Sequence, residues 1–407
     1  MTASPPLLGR GAIARLGLAQ LIGWGISFYL PGALGEAIVS AQGWSRSQVY
    51  GGLSAALCCM ALLSPLLSPL AGEWIDRYGG RRVMSAGACC NALGCLVIAG
   101  STHIPVYYLG WLVLGVGMRL MLYDALSTSL AQGARGQVLE VMARVTLWGG
   151  LASTVFWPLG QGLLQVLGWR GALCVYALFA LACLPLLRSV PGEGVPPSQR
   201  GSIEGPEPRN PVWLVSLLFT SITMLTSFLS AGLSAHLPGL LDELGGAAGW
   251  SVGVAALWGF GQLCARFVDM LYGARLPILL HSLLAAACLP VSLAIGWLGG
   301  AQAWLAALFV FGYGAANGLA AIVRAGLPLV LFGAQGYGAR VGRLLLPSYV
   351  LSAIAPLACA EARERLGARP TLGISVGIGV AIVAAALILF LVARSGVRHS
   401  ADRSLET

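Results

Sequence analysis

Few charged or titratable residues lie inside the long apolar runs of this chain, and each is a candidate for chemistry, because burying such groups is costly. Arg119 lies fourteen residues into the run 105–130, about 21 Å along a helix. Gly115, Arg119 and Tyr123 follow one another at i, i+4 and i+8. This spacing sets a guanidinium beside a phenol with a small residue above, a seat for an anionic group. Asp124 comes five residues after Arg119, about 140° further around a continuous helix, so the two are not expected to pair directly and Asp124 should take its partner from another segment. Arg119 reads either as a cation of a solute cavity or as half of an interhelical ion pair; Asp124 reads as a proton carrier or as a residue at the membrane edge. Arg266 and Asp269, at i and i+3, can bridge on one helix. His236 and His281 are groups of the kind that titrate near neutral pH, with a packed histidine as the alternative. Glu36 reads as an interfacial carboxylate ahead of a proton carrier. Tyr29 and Trp24 fit either a cavity wall or aromatic packing between helices.

The elements that must position these residues follow from composition. Of 407 residues, 57% are apolar and 10% charged, against about 25% charged in soluble domains. A mean hydropathy of +0.81 agrees. So little charge cannot clothe a water-facing surface, which makes this an integral membrane protein. The apolar runs are continuous rather than alternating, so they read as helices and not as barrel strands. All 24 basic side chains are arginine. With no lysine there is no phosphate-loop lysine, no Schiff base and no Ser-x-x-Lys pair, which excludes an ATP-driven pump and several enzyme classes. The net charge of +9 is explained by arginines in membrane loops and needs no nucleic acid. The ten cysteines, Cys58, Cys59, Cys89, Cys90 and Cys95 among them, lie mostly in apolar runs without a Cys-x-x-Cys spacing, as small buried hydrophobes do, with a soft metalloid site as the alternative.

Runs of about 20 apolar residues predict twelve spans near 12–36, 47–72, 83–101, 105–130, 139–166, 170–188, 211–240, 250–272, 277–298, 302–331, 343–362 and 371–393. The Pro- and Gly-rich stretch 189–210 reads as a cytoplasmic linker, dividing the chain into six-helix bundles at 1–188 and 211–407. Fourteen arginines fall in alternate loops and tails on the side of the N-terminus, against Arg46, Arg170, Arg363, Arg365 and Arg369 on the other. That asymmetry places both termini in the cytoplasm. The halves echo each other. Gly43-Trp44-Ser45 recurs as Gly249-Trp250-Ser251, Tyr78-Gly79-Gly80-Arg81 as Tyr272-Gly273-Ala274-Arg275, Gly115-x-Gly117 as Gly312-x-Gly314, and Gly168-x-Arg170 as Gly367-x-Arg369. A duplicated six-helix unit accounts for all four.

Between spans two and three lies Gly72-Glu73-Trp74-Ile75-Asp76-Arg77-Tyr78-Gly79-Gly80-Arg81-Arg82, which fits Gly-x-x-x-Asp-Arg-x-Gly-x-Arg-Arg. With the twelve spans and the central linker, the chain resembles the major facilitator superfamily over nearly its whole length. The resemblance implies that Gly72, Asp76, Arg77, Gly79, Arg81 and Arg82 form a conformational latch, in which a carboxylate meets a helix end and arginines hold neighbouring helices. The surroundings of Gly23-Trp24-Gly25, Tyr29 and Asn317-Gly318 are similar in style to bacterial relatives of the monocarboxylate porters, which adds Asn317 to the candidate substrate residues.

Departures from the family pattern leave the direction of transport open. Trp111 stands where the family's second motif has arginine, Trp157-Pro158 stands where antiporters carry Gly-Pro, and Arg266 precedes Asp269 in the reverse of the porters' order. Two Gly-x-Ser-x-Gly patterns, at Gly249–Gly253 and Gly373–Gly377, follow no strand and lack the strained elbow of a hydrolase. The reading is an all-α, twelve-helix, alternating-access secondary transporter of a bacterial inner membrane. It moves a small anionic solute with protons, works as a monomer, and needs no cofactor, metal or nucleic acid. The alternatives are a drug or metalloid exporter of the same superfamily, a non-transporting membrane sensor, and an intramembrane serine hydrolase.

Overall fold

The computed structural model describes residues 8–133, 138–190, 212–245, 250–272, 276–299, 302–332 and 337–403. These form fifteen α-helices and no strand: α1 (Arg10–Ile26), α2 (Leu30–Gln42), α3 (Arg46–Tyr78), α4 (Gly80–Ala99), α5 (Ile104–Met121), α6 (Tyr123–Gly133), α7 (Val138–Gly150), α8 (Ala152–Leu186), α9 (Val212–Glu243), α10 (Trp250–Ala255), α11 (Leu257–Tyr272), α12 (Ile278–Gly299), α13 (Ala303–Phe332), α14 (Tyr337–Leu366) and α15 (Ala368–Arg403). Helices satisfy their own backbone groups, the one open-ended arrangement that hydrocarbon tolerates.

Ten stretches among the described residues are long and apolar enough to cross a membrane. One of them, Val141–Ser189, has 49 residues, about 73 Å of helix, too long for a single passage through a core of roughly 30 Å. It breaks at Gly168, whose φ of 67° and ψ of 174° suit a residue without a Cβ. Its two parts and the 33-residue α3 bring the crossing segments to twelve. Gly367, with φ 84°, stands at the matching point between α14 and α15.

Four of the expected spans are jointed: 12–36 near Ser27–Tyr29, 105–130 at Leu122, 139–166 at Leu151 and 250–272 at Ala256. At the first joint the Ser27 hydroxyl donates to the Gly23 carbonyl at 2.6 Å, a local bond that competes with helix continuation. Pro31 then falls in the first turn of α2, where its missing N–H leaves nothing unpaired.

By contacts the chain divides into two compact units, one of residues 1–200 with 234–239 and 356–361, the other of 201–233, 240–355 and 362–407. In the first, α4 packs on α5 and α8, α3 on α5, and α1 on α7 and α8. In the second, α11 and α12 pack on α13, and α12 on α15. A Cβ at Gly115 would stand 3.0 Å from Ala56 Cα, and one at Gly314 would stand 2.9 Å from the Trp258 carbonyl carbon. Contact therefore matches Gly115 with Gly314, an offset of 199 that also relates Gly168 to Gly367, and shifts the expected Gly115–Gly312 echo by two residues. From residue 191 onward the expected linker 189–210 lies outside the described residues, as do Gly249 and 273–275.

Candidate functional site

The joint at Leu122 builds the site of the first unit. Leu122 adopts φ −76° and ψ −167°, so α5 ends at Met121 and α6 begins at Tyr123 with Asp124 in its first turn. A break in a buried helix leaves carbonyls without partners. Here the fully buried Gln20 of α1 donates its Nε2 to the Met121 carbonyl at 2.8 Å. The joint also corrects the expected separation of Arg119 and Asp124. Arg119 Nη1 meets Asp124 Oδ2 at 2.7 Å, with side chains 10% and 51% exposed. The 140° offset assumed a continuous helix, and one extended residue swings the carboxylate back over the last turn of α5. For the same reason the expected Gly115–Arg119–Tyr123 face is interrupted. Tyr123 instead turns its ring to Trp24, 5.1 Å away, and its hydroxyl to the backbone of Gly149, where no Cβ would fit. Asp124 sits where a helix N-terminus favours negative charge.

The other candidates are dispersed. Tyr29 is buried, its ring 5.6 Å from and edge-on to Trp157, whose indole donates to the Tyr29 carbonyl at 3.2 Å. Asn317 donates to the Tyr313 carbonyl of its own helix at 3.0 Å. His236 is fully buried, with Nε2 2.8 Å from the Pro356 carbonyl and its ring 3.8 Å from that of Tyr50. The Tyr50 hydroxyl donates to Glu36 at 3.1 Å, and Arg46 reaches the same carboxylate at 3.2 Å. Asp269 takes a partner that the i, i+3 spacing did not indicate: His281 Nε2 of α12, at 2.8 Å. Arg266 reaches Gln262 Oε1 at 3.5 Å. Of the residues expected to form a latch, Gly79 carries φ 81° in the turn between α3 and α4, and Arg81 and Arg82 are exposed. The side chains of Gly72, Asp76 and Arg77 lie outside the described part. Of the two Gly-x-Ser-x-Gly serines, Ser375 spends its hydroxyl on the Thr371 carbonyl at 2.9 Å, and Ser251 is buried in α10.

The family profile of the Major Facilitator Superfamily matches residues 16–327. The chain belongs to this superfamily. As such it is a multi-pass membrane transporter and not an enzyme. It is 29% identical over 394 residues to monocarboxylate transporter 11 of Mus musculus, covering 92% of this chain and 76% of the mouse protein. Among solved structures it is similar to the nucleoside transporter NupG, with a TM-score of 0.72 at 12% identity over 93% of this chain and all of that one. It is also similar to a D-xylose–proton symporter, with a TM-score of 0.69 at 15% identity over 93% and 96%.

Two further polar residues, Gln20 and Arg324, lie inside apolar runs. Gln20 was hidden because a buried glutamine inside an apolar run is uninformative until the broken helix it serves is known. Arg324 was legible, being an arginine inside the apolar run 302–331, the same signal that singled out Arg119. It lies half-buried in α13, with Nη1 3.4 Å from Ser227 Oγ and its guanidinium carbon 5.4 Å from the centre of the Tyr349 ring.

Proposed function

We propose that this transporter moves a small monoanionic solute together with a proton by alternating access, and that Arg119 and Asp124 couple the two. The 2.7 Å pair across the α5–α6 joint carries this reading. Asp124 is half exposed and within reach of a proton from water, whereas Arg119 is nearly buried. An ion pair with one such partner is screened to about 1 kcal/mol or less, weak enough to be exchanged for another carboxylate. Protonation of Asp124 removes the negative partner, and the guanidinium then attracts the negative charge of the solute in its place. A proton and a monoanion thus enter together, leaving the site's net charge unchanged. Asp269, Arg266 and His236 stand in reserve as coupling groups, and Tyr29 and Asn317 shape the helices around the solute path. The name of the mouse relative supports a carboxylate solute, and that of the xylose symporter supports proton coupling.

In the same reading the chain works as a monomer in a bacterial inner membrane, with both termini and the 189–210 linker cytoplasmic and the Gly72–Arg82 segment acting as the latch. Purified protein in liposomes tests the transport claim. An inward acid gradient should drive accumulation of a radiolabelled monocarboxylate, and a protonophore should abolish it. Accumulation indifferent to the gradient overturns the coupling. A single cysteine at Ser198, in a background lacking the native cysteines, should resist external labelling in cells; labelling there overturns the orientation.

A further inference from the structure

We propose that Arg324, held by Ser227 and Tyr349, is an anion-binding subsite of the second unit that recognises the carboxylate of the solute. The proposal rests on the anion-transport reading above and adds residues that it does not use.

Arg324 has no carboxylate among its contacts with the described residues; its recorded partners are a serine hydroxyl and an aromatic face. An arginine at membrane depth is costly and is normally paired. Here the pairing is left for something that arrives. Depth is fixed by the partners. Ser227 is the sixteenth of the 32 residues of α9, and Tyr349 the thirteenth of the 30 of α14. The guanidinium therefore meets both helices near their middles, although Arg324 is itself the twenty-second of 30 residues in α13. Side chains lean toward the N-terminus of their own helix, which carries the group away from the nearer end of α13. A cation merely reaching for the interface would lean the other way.

The chemistry of the contacts leaves the correct face open. Tyr349 turns its ring face to the guanidinium carbon, 5.4 Å away, a cation–π contact that uses no N–H as a conventional hydrogen-bond donor, and the 3.4 Å contact to Ser227 occupies one N–H at the loose limit of hydrogen bonding. The remaining N–H groups lie in the guanidinium plane, where a carboxylate docks with two parallel bonds. The same pair of helices carries further hydroxyls: Ser348 donates to Thr223 at 3.1 Å, and Thr220 donates to the Leu344 carbonyl at 3.2 Å. These hydroxyls tie α9 to α14 on the N-terminal side of Ser227 and Tyr349. Planar two-point recognition selects a carboxylate over a neutral solute and makes lysine a poor substitute.

The full-length protein in liposomes tests this with acetate, pyruvate, butyrate and benzoate as probes, inorganic phosphate as the oxyanion control and glycerol as the neutral one. For whichever acid the wild type accumulates, Arg324→Gln should raise KM about tenfold or more, and Arg324→Lys should raise it several-fold although the charge is kept. Tyr349→Leu, which removes the ring face beside the guanidinium, should raise KM by less than Arg324→Gln does. The same acid should raise the melting temperature of the wild type and not that of Arg324→Gln. Wild-type KM in both arginine variants overturns the proposal. So does a lowered melting temperature in Arg324→Gln without acid when Arg324→Lys retains wild-type KM, since that pattern marks a structural cation. Protection by phosphate but by none of the acids assigns the site to another oxyanion and overturns the carboxylate assignment. Failure of the transport reading is distinguishable, because it shows in the wild type, which would then accumulate no acid at all.

Discussion

Arg119 and Arg324 are the same residue type in the C-terminal parts of α5 and α13, and their surroundings differ in one decisive respect. Arg119 meets a carboxylate supplied by its own chain five residues later, because α5 stops at Met121 and α6 restarts at Tyr123. Arg324 sits on a helix that runs unbroken from Ala303 to Phe332 and meets a hydroxyl and a ring. A joint in a helix can thus compensate a buried charge locally, whereas an intact helix must leave compensation to neighbours or to a ligand. The compensated arginine suits coupling, since its partner can be protonated. The uncompensated one suits binding.

The largest expected effect breaks the first half of that contrast. Arg119→Ala should reduce gradient-driven uptake by about ten- to a hundredfold, since it removes a charge-assisted partner of the solute and the ion-pair partner of Asp124 together. Asp124→Asn should act differently, sparing solute exchange between loaded vesicles while losing accumulation against a gradient. Equal losses of exchange and accumulation in Asp124→Asn would assign the proton elsewhere and reduce Asp124 to a structural partner.

Much of this was legible in the sequence, and what was not has identifiable causes. Twelve crossing segments follow from runs of apolar residues, since hydrocarbon demands length and apolarity and little else. Gly168 and Gly367 marked the entries to the last helix of each half, because positive φ favours glycine. The Leu122 joint left no such mark. It contains neither proline nor glycine, and what stabilises it is Gln20, a hundred residues away in the chain. A face drawn at 100° per residue through that joint set Arg119 and Asp124 apart. Asp269 was likewise matched within its own helix, although its partner His281 belongs to the next one. Sequence spacing reports neighbours on a rod and is silent about what a second rod brings.

The next effect concerns the joint itself. Gln20→Leu leaves the Met121 carbonyl buried without a donor, which costs about 1–3 kcal/mol. The variant should unfold at a lower temperature and lose coupling together, because the joint that presents Asp124 loses its support. If stability falls while the ratio of accumulation to exchange stays at the wild-type value, the joint holds its geometry without Gln20.

A similar magnitude is expected at the Gly72–Arg82 segment. Asp76→Asn removes the charge expected to meet a helix end and neighbouring arginines, worth on the order of 1–2 kcal/mol, or a five- to thirtyfold change in a conformational ratio. Transport should fall while acid-induced stabilisation of the purified protein persists. Normal transport in Asp76→Asn removes the main support for a latch.

The smallest effect is expected at Asp269 and His281, and it sharpens the comparison most finely. Their 2.8 Å contact joins α11 to α12, with side chains 21% and 7% exposed, and a histidine there has the chemistry of a proton carrier. If coupling belongs to Asp124, this pair ties two helices and nothing more. His281→Gln keeps a donor of similar reach and should alter uptake less than about twofold, with stability lowered by no more than the roughly 1–3 kcal/mol of a hydrogen bond to a charged group. The decisive measurement is the pH profile of uptake. A structural pair leaves the profile of His281→Gln superimposable on the wild type, whereas a coupling pair removes the limb that histidine protonation would control. That loss, with a normal profile in Asp124→Asn, would transfer the proton from the jointed helix of the first unit to the α11–α12 contact of the second.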